Sequence, residues 1–153
     1  MYYEQKTCLL NKFYLKDFTV NNYKGYTELD CYKHGRELRK SISLLVSKFP
    51  KEEKYELASQ IKRSSRSITA NIAEGYGRYT YSDTRHFFII SRGSVTETME
   101  HLTTAFDENF ISEDILKSEL DKCETVFKLI NGFIAYLDKS KKVQKAVTQI
   151  PNP

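Results

Sequence analysis

Three basic residues near the middle of the chain are spaced so that they could bind an anion together. At about 100° per helical residue, Lys62, Arg66 and Arg63 lie about 100°, 140° and 200° around the helix from Ile61, which belongs to the apolar stripe. Guanidinium groups fork onto phosphate oxygens, and several cations together release counterions from a nucleic acid. The spacing therefore predicts phosphate contact. The alternative is a charged helix face that meets solvent or another subunit.

The segment that follows this helix combines glycines, tyrosines and one more arginine. Arg78 lies between Tyr76, Tyr79 and Tyr81 in a short glycine-containing stretch. Aromatic rings interleaved with a guanidinium can stack unpaired bases, and glycine allows a backbone to approach closely. The alternative is a turn whose tyrosines pack on the end of the protein. The predicted nucleic-acid-binding residues are Lys62, Arg63, Arg66, Arg78 and Tyr79.

The residues that usually build catalytic or metal sites are scattered in this sequence. His34, His86 and His101 form no HxxxH or ExxH pair, and di-iron bundles need ExxH on facing helices. The chain also lacks a GxxxxGK[ST] phosphate loop, a GxSxG elbow and a paired-carboxylate motif. We therefore predict no catalytic residue, no metal and no cofactor. An enzyme with a site between subunits is the alternative.

Three charged residues, Glu74, Arg92 and Glu97, could serve either catalysis or structure. No nucleophile or metal cluster accompanies them in the pattern. We therefore predict that they form ion pairs that brace the second predicted helix against the third, and that Asn71 forms a hydrogen bond near the end of the second helix.

Composition and length predict one water-soluble domain. The 153 residues are 40% hydrophobic and 29% charged, which is typical of a globular protein with its own core. No apolar run approaches the roughly 20 residues of a membrane helix, and the N-terminus does not resemble a secretory signal. The three cysteines are scattered, which disfavours a disulfide framework and fits a reducing compartment, and Cys31 and Cys123 are predicted to be buried thiols. We expect a cytoplasmic protein that does not bind membranes.

The net charge of +4 conceals a basic block followed by an acidic one. Residues 62–92 contain six Lys or Arg and two Asp or Glu, whereas residues 93–138 contain three Lys and ten Asp or Glu. Such asymmetry predicts a polyanionic partner, a self-association surface, or both.

Apolar residues recur at helical spacing in four segments. The predicted helices span about 27–49, 50–74, 82–110 and 112–138. Four amphipathic helices with short connections predict an all-α, antiparallel up-down-up-down four-helix bundle over residues 26–138. Residues 1–25 are predicted to form an N-terminal arm, and residues 139–153 a basic flexible tail.

Local signals predict where these helices begin and end. Pro50 suits the first turn of the second helix, and Gly75 with Gly77 predicts a left-handed end to it. Ser82 and Ser112 are the predicted N-caps of the third and fourth helices. Ser64 and Ser65 share the apolar face of the second helix, where small residues would let a neighbouring helix approach closely.

Two segments of the chain resemble one known family. Residues 59–78 read SQIKRSSRSITANIAEGYGR and residues 91–97 read SRGSVTE. They resemble the motifs QIRRAxxSIxxNIAEGxGR and ARGSxxE of bacterial four-helix bundle proteins encoded within intervening sequences of large-subunit ribosomal RNA. The resemblance covers roughly residues 26–138. Thr69 stands where proline is common in the family, which predicts a straighter second helix, and the arm before residue 26 has no counterpart in the family pattern.

The resemblance implies a partner as well as a fold. It implies a homo-oligomeric ring, typically a pentamer, and kinship with accessory proteins of diversity-generating retroelements, which bind nucleic acid and a reverse transcriptase. The predicted function is therefore a non-enzymatic, homo-oligomeric nucleic-acid-binding protein, with RNA favoured and a reverse transcriptase as a further partner. The alternative is a protein-interaction scaffold ring, in which the basic and acidic surfaces pair between subunits.

Overall fold

A computed structural model describes residues 25–148, and four α-helices contain most of them. The helices are α1 (Asp30–Val46), α2 (Leu57–Tyr76), α3 (Tyr81–Asp107) and α4 (Glu113–Thr148), with short 3-10 turns at Tyr26–Glu28 and Lys51–Tyr55. No strand occurs between residues 25 and 148, so the predicted all-α class with four helices is confirmed. The predicted arm, up to residue 24, and residues 149–153 lie outside the described part of the chain.

The four helices pack in a closed cycle around one core. Each helix contacts the helices before and after it, and α4 returns to contact α1. Within residues 25–148 the diagonal pairs, α1 with α3 and α2 with α4, do not come this close. Every helix contributes side chains with almost no exposed surface, among them Leu38, Ile42, Ile61, Ile68, Ile72, Phe88, Val95, Leu102, Val126 and Ile130.

Side-chain contacts between neighbouring helices show their relative directions. In two pairs of neighbouring helices, the position of the contact moves backwards along one helix as it moves forwards along the other, as expected for antiparallel neighbours. Between α2 and α3 the pairs are Ser67 with Ser94 and Ser64 with Thr98; between α3 and α4 they are Arg85 with Asp138 and Arg92 with Asn131.

Serine and threonine line the contact between α2 and α3. The Thr98 hydroxyl donates to Ser64 Oγ (2.9 Å), and the Ser91 hydroxyl donates to the Ile68 carbonyl (2.8 Å). Ser64 and Ser65 are each 1% exposed, which confirms their predicted place on the core face. Because these side chains are short and the hydroxyls of Ser64, Ser91 and Thr98 are paired, the two helices can pack closely along this stretch at little cost in unmade hydrogen bonds.

A buried carboxylate fixes α4 against α1. Glu119 is 6% exposed, and its Oε1 accepts hydrogen bonds from the Ser41 hydroxyl (2.7 Å) and from Lys122 Nζ (2.6 Å). Lys122 Nζ also donates to Ser41 Oγ (2.8 Å). The ammonium offsets the charge of a carboxylate that would otherwise be costly to bury.

The second helix begins later than the sequence predicts. Residues 51–55 form a 3-10 turn, and α2 begins at Leu57 rather than at Pro50. The Leu57 N–H donates to Glu53 Oε2 (3.2 Å), so a carboxylate does lie at the start of this helix. Such a contact satisfies a backbone donor that has no partner within the helix.

The prediction of a left-handed end at Gly75 and Gly77 is wrong. No glycine of the described chain has a positive φ, and α2 continues through Gly75 to Tyr76. Gly75 is instead required for packing, because a Cβ there would lie 2.9 Å from the Cβ of Phe87 and 3.1 Å from the Thr84 carbonyl oxygen. This glycine lets α2 approach α3 closely.

The N-cap of α3 is Thr80, not Ser82 as predicted. Thr80 Oγ1 accepts a hydrogen bond from the Asp83 N–H (3.1 Å), and its hydroxyl donates to the Asp83 carboxylate (2.8 Å). The helix begins at Tyr81, so Ser82 already lies inside it. The prediction of Ser112 as a cap for α4 is confirmed, because its Oγ accepts from the Ile115 N–H (3.4 Å).

The third and fourth helices end at other residues than predicted. Asn109 adopts φ 61°, and the Phe110 N–H donates to the Ala105 carbonyl (2.8 Å), so α3 ends at Asp107 in a Schellman-type motif instead of reaching Phe110. α4 continues ten residues past the predicted end at Asp138, to Thr148. No glycine or proline occurs between residues 139 and 148 to interrupt it.

Both cysteines in the described part of the chain are buried thiols, as predicted. Burial raises the pKa of Cys31 to about 11 and that of Cys123 to about 12. Both thiols are therefore protonated near neutral pH, and they act as small apolar side chains. Cys8 lies outside the described residues.

Candidate nucleic-acid interface

The structure places the three basic residues of α2 on two different sides of its outer surface. Arg63 and Arg66 are exposed, and Lys62 is half-buried. Lys62 and Arg66 lie towards α1, the side on which Thr69 contacts Arg39 of that helix. Arg63 lies towards α3, where its Nη2 is 3.9 Å from Glu97 Oε1. The three residues therefore do not form the single basic face that the sequence predicts. Lys62 and Arg66 lie on the α1 side of α2, and Arg63 lies on the α3 side.

A groove between α1 and α2 contains two arginines that have no carboxylate partner among the described residues. The groove encloses about 380 Å³ and is lined by Tyr32, Arg39, Arg66, Thr69, Ala70 and Ala73. Among the described residues, no carboxylate oxygen lies within 4.0 Å of Arg39 or Arg66. Two guanidinium groups on one concave surface without a counter-charge are suited to bind an anion. We call these six residues the α1–α2 groove.

Arg39 is held in place by a threonine of the neighbouring helix. Its Nη1 donates to Thr69 Oγ1 (3.0 Å), and the Thr69 hydroxyl donates in turn to the Arg66 carbonyl (3.2 Å). Thr69 is 2% exposed, so this hydroxyl has little access to water. The apolar period of the first helix predicts only that Arg39 lies on another face than the core stripe, and it does not indicate which helix packs beside this residue.

Arg78 has partners of its own at the end of α2. It forms an ion pair with Glu74 one turn earlier, and its guanidinium carbon lies 4.6 Å from the ring centre of Phe87. Tyr76 packs against Tyr26 with ring centres 6.3 Å apart, which supports the packing alternative for that ring. Tyr79 is 86% exposed and remains available to stack against a ligand.

The three charged residues predicted to brace α2 against α3 have different partners. Glu97 does connect these helices, through Arg63, and it also lies 3.6 Å from His101 Nε2. Arg92 instead donates to Asn131 of α4 (3.1 Å), and Glu74 pairs within its own helix end with Arg78. The predicted ion pair between α2 and α3 is therefore correct for Glu97. It is wrong for Arg92, which contacts α4, and for Glu74, which pairs with a residue just past the end of its own helix.

Asn71 forms a hydrogen bond within α2. Its side-chain amide donates to the Ser67 carbonyl (2.8 Å) one turn earlier, which agrees with the predicted hydrogen bond near the end of the second helix.

Among residues 25–148, no group of three or more His, Cys, Asp or Glu side chains is placed to hold a metal ion. None of the helices described is both long and apolar enough to cross a membrane.

Comparison with known proteins identifies the family. A family model described as 23S rRNA-intervening sequence protein matches residues 27–132, which is well over half of the chain. The chain belongs to this family. The match contains both sides of the α1–α2 groove and every residue predicted to bind nucleic acid.

A solved structure shares the fold of this 23S rRNA-intervening sequence protein family member. It is a protein from Bacteroides thetaiotaomicron VPI-5482, described as having unknown function and as belonging to the S23 ribosomal protein family. The TM-score is 0.65 at 24% identity, over 69% of this chain and 95% of that one. No curated protein matches this chain. The two descriptions name ribosomal RNA and a ribosomal protein family, and neither names an enzymatic activity.

Proposed function

We propose that this protein is a non-enzymatic, homo-oligomeric RNA-binding protein. Its family description points to a ribosomal RNA context, which suggests an RNA-associated role. The observation that carries the proposal is the α1–α2 groove, where Arg39 and Arg66 share one surface and no described carboxylate lies within 4.0 Å of either. Lys62 on the same side of α2, and Arg63 with Arg78 and Tyr79 nearby, extend the contact surface in the proposal.

The distribution of charge between the helices supports a polyanionic ligand. α1 and α2 together contain seven Lys or Arg against three Asp or Glu, whereas α3 contains two against four. The basic half of the bundle is therefore separate from the acidic α3. A ligand with regularly spaced phosphates would gain from several weak contacts at once, and a ring of subunits would multiply them.

Salt dependence of RNA binding tests the proposal. A fluorescent 20-nucleotide oligouridylate should bind at low salt, and log Kd should rise linearly with log salt because counterions are released. Three phosphate contacts on a single strand predict a slope of about 2, and more if several subunits engage. Anisotropy titrations at several KCl concentrations measure the slope. No binding at low salt to this RNA, or to single-stranded DNA of the same length, would rule out the proposed function.

Assembly into a ring is a separate part of the proposal. The family resemblance suggests a pentamer, for which light scattering coupled to size exclusion should give about 90 kDa from a subunit of 17.9 kDa. A mass near that of one subunit at micromolar concentration would contradict it.

The proposal extends to a reverse transcriptase as protein partner, which a neighbouring reverse-transcriptase gene would support.

A scaffold ring without an RNA role is the second candidate. It is favoured by the same separation of basic α1 and α2 from acidic α3, because these surfaces could neutralise one another between subunits. In the RNA-binding candidate the basic residues of α2 contact phosphates, and in the scaffold candidate they contact another subunit. Substitution of those residues distinguishes the two.

A further inference from the structure

We propose that Arg39 and Arg66 form a phosphate clamp in the α1–α2 groove, which grips one phosphodiester of a single RNA strand. This inference deepens the proposed function and rests on it. It assigns a role to a residue of α1, whereas the pattern in the sequence points only to α2 and its end.

The hydrogen bonds around Thr69 position one arm of the clamp before any ligand arrives. Arg39 uses Nη1 to reach Thr69 Oγ1 (3.0 Å), which leaves its other guanidinium donors for a ligand. Since the Thr69 hydroxyl also donates to the Arg66 carbonyl, one threonine connects Arg39 to the backbone of the second arm. A side chain ordered in advance loses less entropy when it binds, so Thr69 is a positioning residue for Arg39.

Neither arginine of this pair is neutralised by a carboxylate among the described residues, whereas several other arginines are. Arg63, Arg78 and Arg85 each have a carboxylate partner, in Glu97, Glu74 and Asp138 respectively. Within the described residues, Arg39 and Arg66 have no such partner within 4.0 Å. Their charges repel each other across the groove, and a phosphate between them would remove that repulsion and accept hydrogen bonds from both.

Small side chains line the part of the groove that α2 contributes. Ala70 and Ala73 are both among its lining residues, so a sugar-phosphate backbone can approach α2 closely. Its volume of about 380 Å³ lies at the lower end of small-ligand sites, which run from about 300 to 1,000 Å³. Tyr32 also lines the groove, and it makes an edge contact with Tyr26, with ring centres 4.9 Å apart.

The groove also leads towards the exposed ring at the end of α2. Ala70 and Ala73 line a second depression that continues to Gly77 and Arg78, next to Tyr79. A strand gripped at the clamp can thus follow α2 to Tyr79, where a base can stack. Glu74 lies on this path, but its charge is paired with Arg78.

Substitution of Arg39 tests the clamp with the same oligouridylate. Arg39→Ala should weaken binding by about ten- to a hundredfold and lower the salt slope by about 0.7, because one single-strand phosphate contact is lost. Arg39→Lys keeps the charge but not the fork, so it should recover only part of the affinity. Lys128→Ala, which removes one charge from an exposed position on α4, should change affinity by less than about twofold. Thermal melts identify any variant that fails to fold.

The role of Thr69 has its own measurement. Thr69→Val keeps the shape but removes the hydroxyl, and it should weaken binding by roughly two- to tenfold with the salt slope unchanged. Thr69→Ser, which retains the hydroxyl, should restore wild-type affinity. A purely structural role for Thr69 would give a lower melting temperature without this pattern of affinity.

The outcomes separate the clamp from the proposed function. If Arg39 and Arg66 grip one phosphate, the double alanine variant should lose little more affinity than either single variant. Fully additive losses would place them on separate phosphates and overturn the clamp. Wild-type affinity in Arg39→Ala and Thr69→Val would also overturn it while leaving RNA binding intact. Failure of the wild-type protein to bind RNA would overturn the proposed function and the clamp together.

Discussion

Changing Lys62, Arg63 and Arg66 together to alanine should weaken RNA binding by at least about a hundredfold. Each lost charge-assisted hydrogen bond to phosphate costs about 1.5–3 kcal/mol, and a tenfold change in affinity is about 1.4 kcal/mol. The salt slope should fall by about 0.7 for each single-strand phosphate contact that is lost. The bundle should remain folded, since none of the three side chains belongs to the core and surface substitutions rarely cost more than about 0.5 kcal/mol each. Anisotropy titrations and circular dichroism measure the two effects.

A matched triple variant controls for the change in net charge. Lys48→Ala, Lys117→Ala and Lys128→Ala also remove three exposed positive charges, but none of these positions lines the groove. This variant should bind RNA almost as well as the wild type. If the α2 variant instead binds normally but no longer assembles, the basic face is a subunit interface, and the scaffold function replaces RNA binding.

Alanine in place of two different glycines should change stability in opposite directions. At Gly75 the added Cβ would press on the Phe87 Cβ and the Thr84 carbonyl, and such overpacking costs about 1–3 kcal/mol. At Gly93, in the middle of α3, nothing lies within 4 Å of an added Cβ. There alanine should raise the free energy of unfolding by about 0.5–1 kcal/mol, because glycine is a poor helix former.

Denaturant unfolding followed by circular dichroism measures both changes. The variants must be compared at equal protein concentration, because assembly makes apparent stability depend on it. Gly132→Ala is a second control, since its Cβ also meets nothing within 4 Å. Equal destabilisation at Gly75 and Gly93 would contradict the close approach of α2 and α3. A loss of assembly confined to Gly93→Ala would indicate that another subunit covers the outer face of α3.

The helices were predictable because their apolar residues repeat at the helical period over long segments. The predicted helix ends and N-caps are wrong where they depend on contacts with a neighbouring helix, or on which residue begins the helix. Gly75 carries an ordinary helix-ending signal, but the contact with Phe87 that requires a glycine is tertiary. Ser82 and Thr80 are both suitable N-caps, and only the start of α3 at Tyr81 selects between them.

The candidate site was predictable only in the part that lies on one helix. Angular position along α2 places Lys62 and Arg66 outside the core without any knowledge of the fold. The partnership of Arg39 with Thr69 joins residues 30 positions apart, and it depends on which helix packs beside α1. For the same reason, the sequence could not separate Arg63, which faces Glu97, from Arg66, which faces the groove.

The serine- and threonine-lined contact between α2 and α3 bears on how the fold opens. The two helices are joined by only residues 77–80, so bringing them together costs little chain entropy. The hydroxyls of Ser64, Ser91 and Thr98 are buried and paired with each other or with backbone carbonyls, and Gly75 lets the backbones approach. Separating them would expose all of these groups at once. In hydrogen exchange, the amides of this helical hairpin should therefore be the most protected, and the hairpin should unfold last as a cooperative unit.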